Sequence, residues 1–276
     1  MTARLVTPAW LADHLSDPDV VVLDATVHLT FDADGAHVES GAQTFREGHV
    51  PGAVFVDQVS ELTDPDADVA FTVAPSARFA DVLGRAGVGD GTTVVVYDTV
   101  NGIWATRLWW QLGLEGHDDV AVLDGGLAAW TSAGHDVEAG EGATPAPRTF
   151  TARRRSERLA TTEQVEAALD DASSPVVCAL GRESYESAHI PGSGHVGFDE
   201  LTEADGTFKT PERLRALLDD AGLLAPGTRP VTYCGGGIAA TALTFALSLV
   251  GQDDVAVYDG SMSAWTADPA RPVAVG

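Results

Sequence analysis

Positive charge and cysteine are what this sequence has least of. It sets 16 Lys and Arg against 41 Asp and Glu, a formal net charge of −25 over 276 residues, and Lys209 is its sole lysine. A chain so charged lacks the basic footprint that nucleic acid or an anionic membrane surface selects, so neither is expected as a partner. The acidic excess bears on solubility and association rather than on fold. Its 2 cysteines, Cys178 and Cys234, are too few for a disulfide framework and imply a reduced compartment. No apolar run approaches the roughly 18 residues of a membrane span, and the opening MTARLVTPAW has no apolar signal core. A cytoplasmic location is expected.

What is present is globular in character: 45% of residues are hydrophobic, mean hydropathy is near zero, and the length suits two domains. An internal repeat supports that division. TTVVVYD (92–98) matches TRPVTYC (228–234), and DDVAVLDGGLAAW (118–130) matches DDVAVYDGSMSAW (253–265). EGHVPGA (47–53) matches SAHIPGS (187–193), and APSARFADVLGRAGV (74–88) matches TPERLRALLDDAGL (210–223). The order is the same in both halves at a spacing near half the chain, which is a duplicated domain and not a solenoid.

Each half alternates β-branched runs of buried-strand length with helical stretches. VVVLDA, VVVYD and VAVLDG serve the first half, and PVVCAL, PVTYC and VAVYDG the second. Helix starts are readable at Thr7-Pro8, at Thr210-Pro211 and at Thr161 with Gln164. The expectation is an α/β fold: two tandem domains, each a parallel sheet with helices on both faces. The boundaries read 1–132 and 159–276, with the aperiodic, Gly- and Pro-rich stretch 133–158 as linker.

In the second half YCGGGI (233–238) places a cysteine where a strand ends and three glycines before an apolar helix. Ligands of parallel sheets bind beyond the carboxyl ends of the strands, and a helix N-terminus offers amides and a positive dipole end there. A thiol so placed sheds its proton more readily, from ~8.5 toward roughly 3.5–7.5 in documented settings. The first half has Asp98 at the equivalent place, followed by TVNGIWATR with no triple glycine. One copy keeps a reactive thiol; the other is structural.

Together the two His-X-Pro-Gly segments, the VVLDA strand, RLWWQLGLEGHDDVAVLDGGLAAW and the strand-Cys-Gly-loop-helix resemble the tandem-domain rhodaneses, the thiosulfate and 3-mercaptopyruvate sulfurtransferases. The resemblance runs from Leu5 to Trp265. It implies a silent first domain and a nucleophile, Cys234, in the second, which takes a sulfane sulfur from thiosulfate or 3-mercaptopyruvate as a persulfide and yields it to cyanide or a thiol. The amides of Gly235, Gly236, Gly237, Ile238 and Ala239 are expected to cradle that sulfur. Neither metal nor organic cofactor is implied, and a monomer is expected. A thiol-bearing protein is a possible partner, and a persulfide carrier with little activity on small donors is the alternative reading.

Two departures from the family pattern touch the donor. Gly236 stands where mercaptopyruvate-type members carry serine, and Leu180 stands where an arginine holds the donor carboxylate. Arg182 is the candidate replacement, and His49 the candidate first-domain contribution to the site. His189 is read as a structural turn residue, and Arg107 as a brace. The cluster Arg153–Arg155 is expected to be a solvated linker face, and Trp109, Trp110, Trp130 and Trp265 to be buried anchors. Cys178 is read as a core thiol; a resolving role would require its Cα within ~7 Å of that of Cys234. A cysteine phosphatase is excluded, because its oxyanion-clamping arginine would fall at position 240, which is alanine.

Overall fold

The β-branched runs become parallel strands, and the apolar stretches between them become the helices that cover the sheets. In the computed structural model, which describes residues 3–32 and 35–276, the chain forms two units: 1–65 with 73–154 and 205–207, and 66–72 with 155–204 and 208–276. None of the described helices is long and apolar enough to cross a membrane.

The first unit runs β1 (Leu5–Val6), α1 (Pro8–His14), β2 (Val20–Asp24), β3 (Val27–Asp32), β4 (Gly35–Ser40), α2 (Ala42–Glu47) and β5 (Val54–Phe55). It continues through α3 (Ser76–Arg85), β6 (Thr93–Tyr97), α4 (Ile103–Leu114), β7 (Val120–Leu123) and α5 (Gly126–Ser132). The parallel sheet has the order β1-β7-β6-β2-β5, and β3 and β4 pair as a hairpin beside it. Thr7 caps α1 by accepting the Trp10 amide at 3.2 Å, with Pro8 at the first helical position, as expected. Alternation sends Val22, Val95, Tyr97, Ala121 and Leu123 to one core with Leu11, Phe45 and Trp130, while α4 packs on β6 and β7 from the other side.

The second unit repeats the plan with α6 (Thr162–Ala168), β8 (Val176–Cys178), α7 (Arg182–Ser187), β9 (Gly194–His195) and α8 (Pro211–Asp220), then β10 (Val231–Tyr233), α9 (Ala239–Leu249), β11 (Ala256–Val257) and α10 (Ser261–Trp265). Its sheet order is β11-β10-β8-β9, and Leu159 bridges parallel to Val257 where the first unit has β1. Val176, Cys178, Val231, Tyr233, Ala256 and Tyr258 share a core with Val165 and Trp265. On the opposite face α9 covers β10, with Thr232 Oγ1 2.9 Å from Thr244 Oγ1.

The stretch expected as a linker is packed structure as far as residue 154. The Ala143 amide bonds the Ala53 carbonyl at 3.0 Å and the Arg148 amide the Gly84 carbonyl at 2.9 Å. A Cβ on Gly84 would stand 2.6 Å from the Arg148 carbonyl oxygen, so the glycine permits that close approach. Phe150 is buried against Phe79. Arg154 is no free solvated cation either: its Nε bonds the buried Glu115 carboxylate at 2.6 Å. Aperiodic sequence concealed these anchors, because each contact is made with a residue far away in the chain.

The four tryptophans are buried, and the indole N–H groups of Trp130 and Trp265 reach the carbonyls of Asp136 and Pro272, each at 2.8 Å. Arg107 is buried as well, with its guanidinium carbon 4.9 Å from the Trp110 ring centre.

Candidate active site

Cys234 follows the last residue of β10 and is 2% exposed. Its amide donates to Ser261 Oγ at 3.0 Å, and its carbonyl accepts the Met262 amide at 3.0 Å. The Gly235 carbonyl accepts from the Ser263 amide at 3.0 Å and from Ser263 Oγ at 2.9 Å. The start of α10 therefore rivets the strand end beneath the loop. Gly237 takes φ +81, a left-handed conformation that turns the chain into α9, and Ile238 is the N-cap. Among the described residues the amides of Gly235, Gly236, Ile238, Ala239 and Ala240 have no protein acceptor.

The first unit shows what such a loop holds. There the Asp98 carboxylate occupies it: Oδ1 accepts the amides of Val100 at 2.8 Å and Gly102 at 3.0 Å, and Oδ2 those of Trp104 at 3.1 Å and Ala105 at 2.9 Å. Gly102 has φ +81, as Gly237 has. Thr106 Oγ1 bonds the Ile103 carbonyl at 2.9 Å, as Thr241 Oγ1 bonds that of Ile238 at 2.7 Å. These equivalences map Gly102 to Gly237, Trp104 to Ala239 and Ala105 to Ala240, with the thiol copy one residue shorter in the loop. An anion held by backbone amides is thus observed in the duplicate, and the corresponding amides of Ala239 and Ala240, at the helix start after Cys234, have no protein acceptor among the described residues.

This mapping extends the expected cradle to Ala240, which sequence reasoning omitted. It also omitted Ser261, whose Oγ lies 3.9 Å from Cys234 Sγ and whose φ is +49. The signal was available in the repeat, where Asp-Gly-Gly of 124–126 becomes Asp-Gly-Ser of 259–261.

Cys178 pairs in register with Tyr233, not Cys234. Register partners in a parallel sheet point the same way and successive residues point oppositely, so the two thiols leave the sheet on opposite faces. Burial pushes the Cys178 thiol up to about 11, against smaller lowering effects from the Leu180 backbone and the Tyr233 hydroxyl. It is a core thiol and no resolving partner.

The histidines form matched braces. His189 Nδ1 donates to the Tyr185 carbonyl at 2.9 Å with its ring stacked on Tyr185. His49 Nδ1 donates to the Phe45 carbonyl at 2.8 Å with its ring stacked on Phe45. The following amides, of Ile190 and Val50, donate to the hydroxyls of Tyr233 and Tyr97 at 3.0 and 3.2 Å. His49 is wholly buried and makes the same turn-bracing contacts through Nδ1 as His189, while its Nε2 is buried with no hydrogen-bond partner.

Leu180 borders the loop, its Cδ2 lying 3.9 Å from where a Cβ on Gly235 would be. Arg182, two residues on at the start of α7, is exposed, and its side chain makes no hydrogen bond or ion pair with the described residues.

A duplicated α/β domain with a thiol under an amide cradle in one copy defines a two-domain protein built for sulfur-anion chemistry. Residues 7–133 and 161–268 both match the Rhodanese-like domain, and the chain belongs to that family. It is 33% identical over 280 residues to the "Thiosulfate sulfurtransferase" of Cricetulus griseus, covering 95% of this chain and 91% of the relative. It is also 33% identical over 288 residues to the "Probable 3-mercaptopyruvate sulfurtransferase" of Pseudomonas aeruginosa, covering 100% and 99%. Among solved structures, the 3-mercaptopyruvate sulfotransferase SseA of Escherichia coli superposes with a TM-score of 0.84 at 28% identity, covering 94% of this chain and 99% of SseA.

Proposed function

We propose that the protein is a sulfurtransferase that moves a sulfane sulfur from thiosulfate or 3-mercaptopyruvate to a thiophilic acceptor through a persulfide on Cys234. The first unit is catalytically silent, with Asp98 filling its cradle, and the second carries the chemistry. In the first half-reaction the Cys234 thiolate attacks the transferable sulfur. With thiosulfate the S–S bond breaks and sulfite departs with the electron pair. With 3-mercaptopyruvate the C–S bond breaks, the carbon takes the thiol proton, and pyruvate departs. In the second half-reaction cyanide or a thiolate attacks the terminal sulfur and the Cys234 thiolate returns. The cycle is covalent and ping-pong in form.

The observation that carries this reading is the pair of cradles, one occupied by the Asp98 carboxylate and the other with the amides of Ala239 and Ala240 unmet around Cys234. A persulfide's terminal sulfur is an anion, and preorganised amides stabilise it without a basic side chain. Gly235, Gly236, Gly237 and Ile238 complete the loop. Arg182, carrying no partner of its own, supplies the cation for a donor carboxylate. The acceptor in a cytoplasmic setting is a thiol, either small or on a protein.

Thiocyanate formation from each donor with cyanide, on wild type and Cys234→Ser, tests the proposal. Activity that vanishes in the variant supports it. If folded, reduced wild type uses neither donor, a carrier that receives its sulfur from another protein replaces the small-donor enzyme.

A further inference from the structure

Gly236 has no backbone reason to be glycine, since its φ lies outside the left-handed region. A contact holds the position small instead. A Cβ there would stand 3.2 Å from Cδ2 and 3.9 Å from Cε2 of Phe71. Phe71 lies in the segment 66–72 of the second unit, half-buried, and adopts φ +64. A bulky residue is held there only where its surroundings impose it, and such outliers gather at ligand sites. The next residue fixes the turn: the amide and Oγ1 of Thr72 both donate to the Val69 carbonyl, at 3.4 and 2.8 Å.

On the side toward which Gly235 and Gly236 face, the loop's nearest neighbours are two apolar side chains and one hydroxyl. Within 4 Å of the Cβ positions of Gly235 and Gly236 stand the Phe71 ring, Leu180 Cδ2 and, at 4.0 Å, Ser263 Oγ. A hydrocarbon ring gives a dianion no hydrogen bond, so a sulfonate pressed against it loses water without compensation. A carbon skeleton loses nothing there and gains apolar contact.

We propose that Phe71 selects the donor: by resting over Gly236 it favours a sulfur carried on a short carbon chain, of the 3-mercaptopyruvate kind, over thiosulfate. The inference rests on the sulfurtransferase reading above and narrows it. Phe71 and Gly236 act as one unit, the ring occupying the space a side chain at 236 would need.

The test measures sulfur loading of Cys234 by intact mass in single turnover, and kcat/KM by cyanide trapping, with each donor. The proteins are wild type, Phe71→Ala, Phe71→Gly, Gly236→Ser and Phe71→Ala/Gly236→Ser, with Cys234→Ala as blank. Phe71→Gly removes the ring and also frees the strained φ, so agreement between the two Phe71 variants assigns the effect to the ring. Removal of the ring is expected to lower the preference for 3-mercaptopyruvate over thiosulfate by about 10-fold, the scale of a lost apolar pocket contact. Gly236→Ser alone is expected to cost about 10-fold with 3-mercaptopyruvate, and that loss should shrink to less than about 3-fold once Phe71 is alanine, as coupled neighbours require. A preference unchanged within about 2-fold in both Phe71 variants, with loading intact, overturns the Phe71 proposal and leaves the sulfurtransferase reading standing. Failure of wild type to load from either donor overturns both.

Discussion

Ser261 Oγ is 3.0 Å from the Cys234 amide nitrogen, 2.8 Å from the Tyr258 carbonyl oxygen and 3.9 Å from Cys234 Sγ. The hydroxyl thus accepts from the cysteine's own backbone while its proton is shared between a carbonyl and the thiol. Its counterpart Gly126 has φ +58, and a Cβ there would stand 2.4 Å from the Asp98 carbonyl oxygen. The Asp98 copy excludes a side chain at this point; the thiol copy accepts one in a strained backbone.

Ser261→Gly should therefore leave stability within about 1 kcal/mol of wild type, because relief at φ +49 offsets the lost hydrogen bonds. Turnover should fall roughly 10-fold as Cys234 loses its positioning contact. Ser261→Ala keeps the strain and loses the bonds, so its urea midpoint should fall below that of Ser261→Gly. Wild-type kcat/KM in Ser261→Gly would show that the hydroxyl positions nothing.

Asp98→Ala removes the acceptor of four backbone amides at once. The first unit should lose about 2–4 kcal/mol, since charge-assisted bonds are the stronger class and the amides of Trp104 and Ala105 are left buried. Denaturation followed by tryptophan fluorescence reports it directly, Trp104, Trp109, Trp110 and Trp130 all belonging to that unit. Sulfur loading of Cys234 per folded molecule should not change.

The two thiols should separate by alkylation. With its thiol held up to about 11 and no surface exposed, Cys178 should resist iodoacetamide at pH 8 in the folded protein. Peptide mapping should place any label on Cys234, with Cys178 labelled only in denaturant. Because the folded value of Cys178 is raised, its contribution to stability is intact below the ordinary thiol range and is lost as pH rises through about 11. Comparable labelling of both in the native state would contradict the opposite-face placement.

Asp24, the counterpart of Cys178 in the first unit, has its carboxyl held above the usual range chiefly by burial, with the Asp98 charge adding to the shift. A raised carboxyl favours folding while protonated, and that contribution is lost as pH climbs through its folded value. Asp24→Asn should then stabilise the unit at pH 7 by on the order of 1 kcal/mol, with the gain shrinking toward pH 4. Urea midpoints at both pH values decide the matter; an equal effect at the two would exclude ionisation as the cause.

Much of this was legible from residue types and their spacing. The strands, the duplication, and the thiol at a strand end before a glycine loop all follow from local patterns, and each appears where those patterns point. Thr7-Pro8 and Thr161 with Gln164 start helices because capping involves only neighbours within one turn. The 133–154 stretch misled because its anchors, such as Arg154 to Glu115, join distant residues. A His-X-Pro-Gly turn does not by itself announce whether its ring faces a site or a core, as the buried ring of His49 shows.

The sequence by itself determined that there are two α/β units, that one retains the thiol and the other a carboxylate, and that amides await an anion beside the thiol. Tertiary structure alone decided which amides those are, that Cys178 turns away from Cys234, that Ser261 braces the thiol, and that Phe71 rests on Gly236. The first group depends on periodicity and local backbone preference, which neighbouring residues carry. The second depends on the register of strands and on contacts between segments far apart in the chain, which exist only once the sheets are formed.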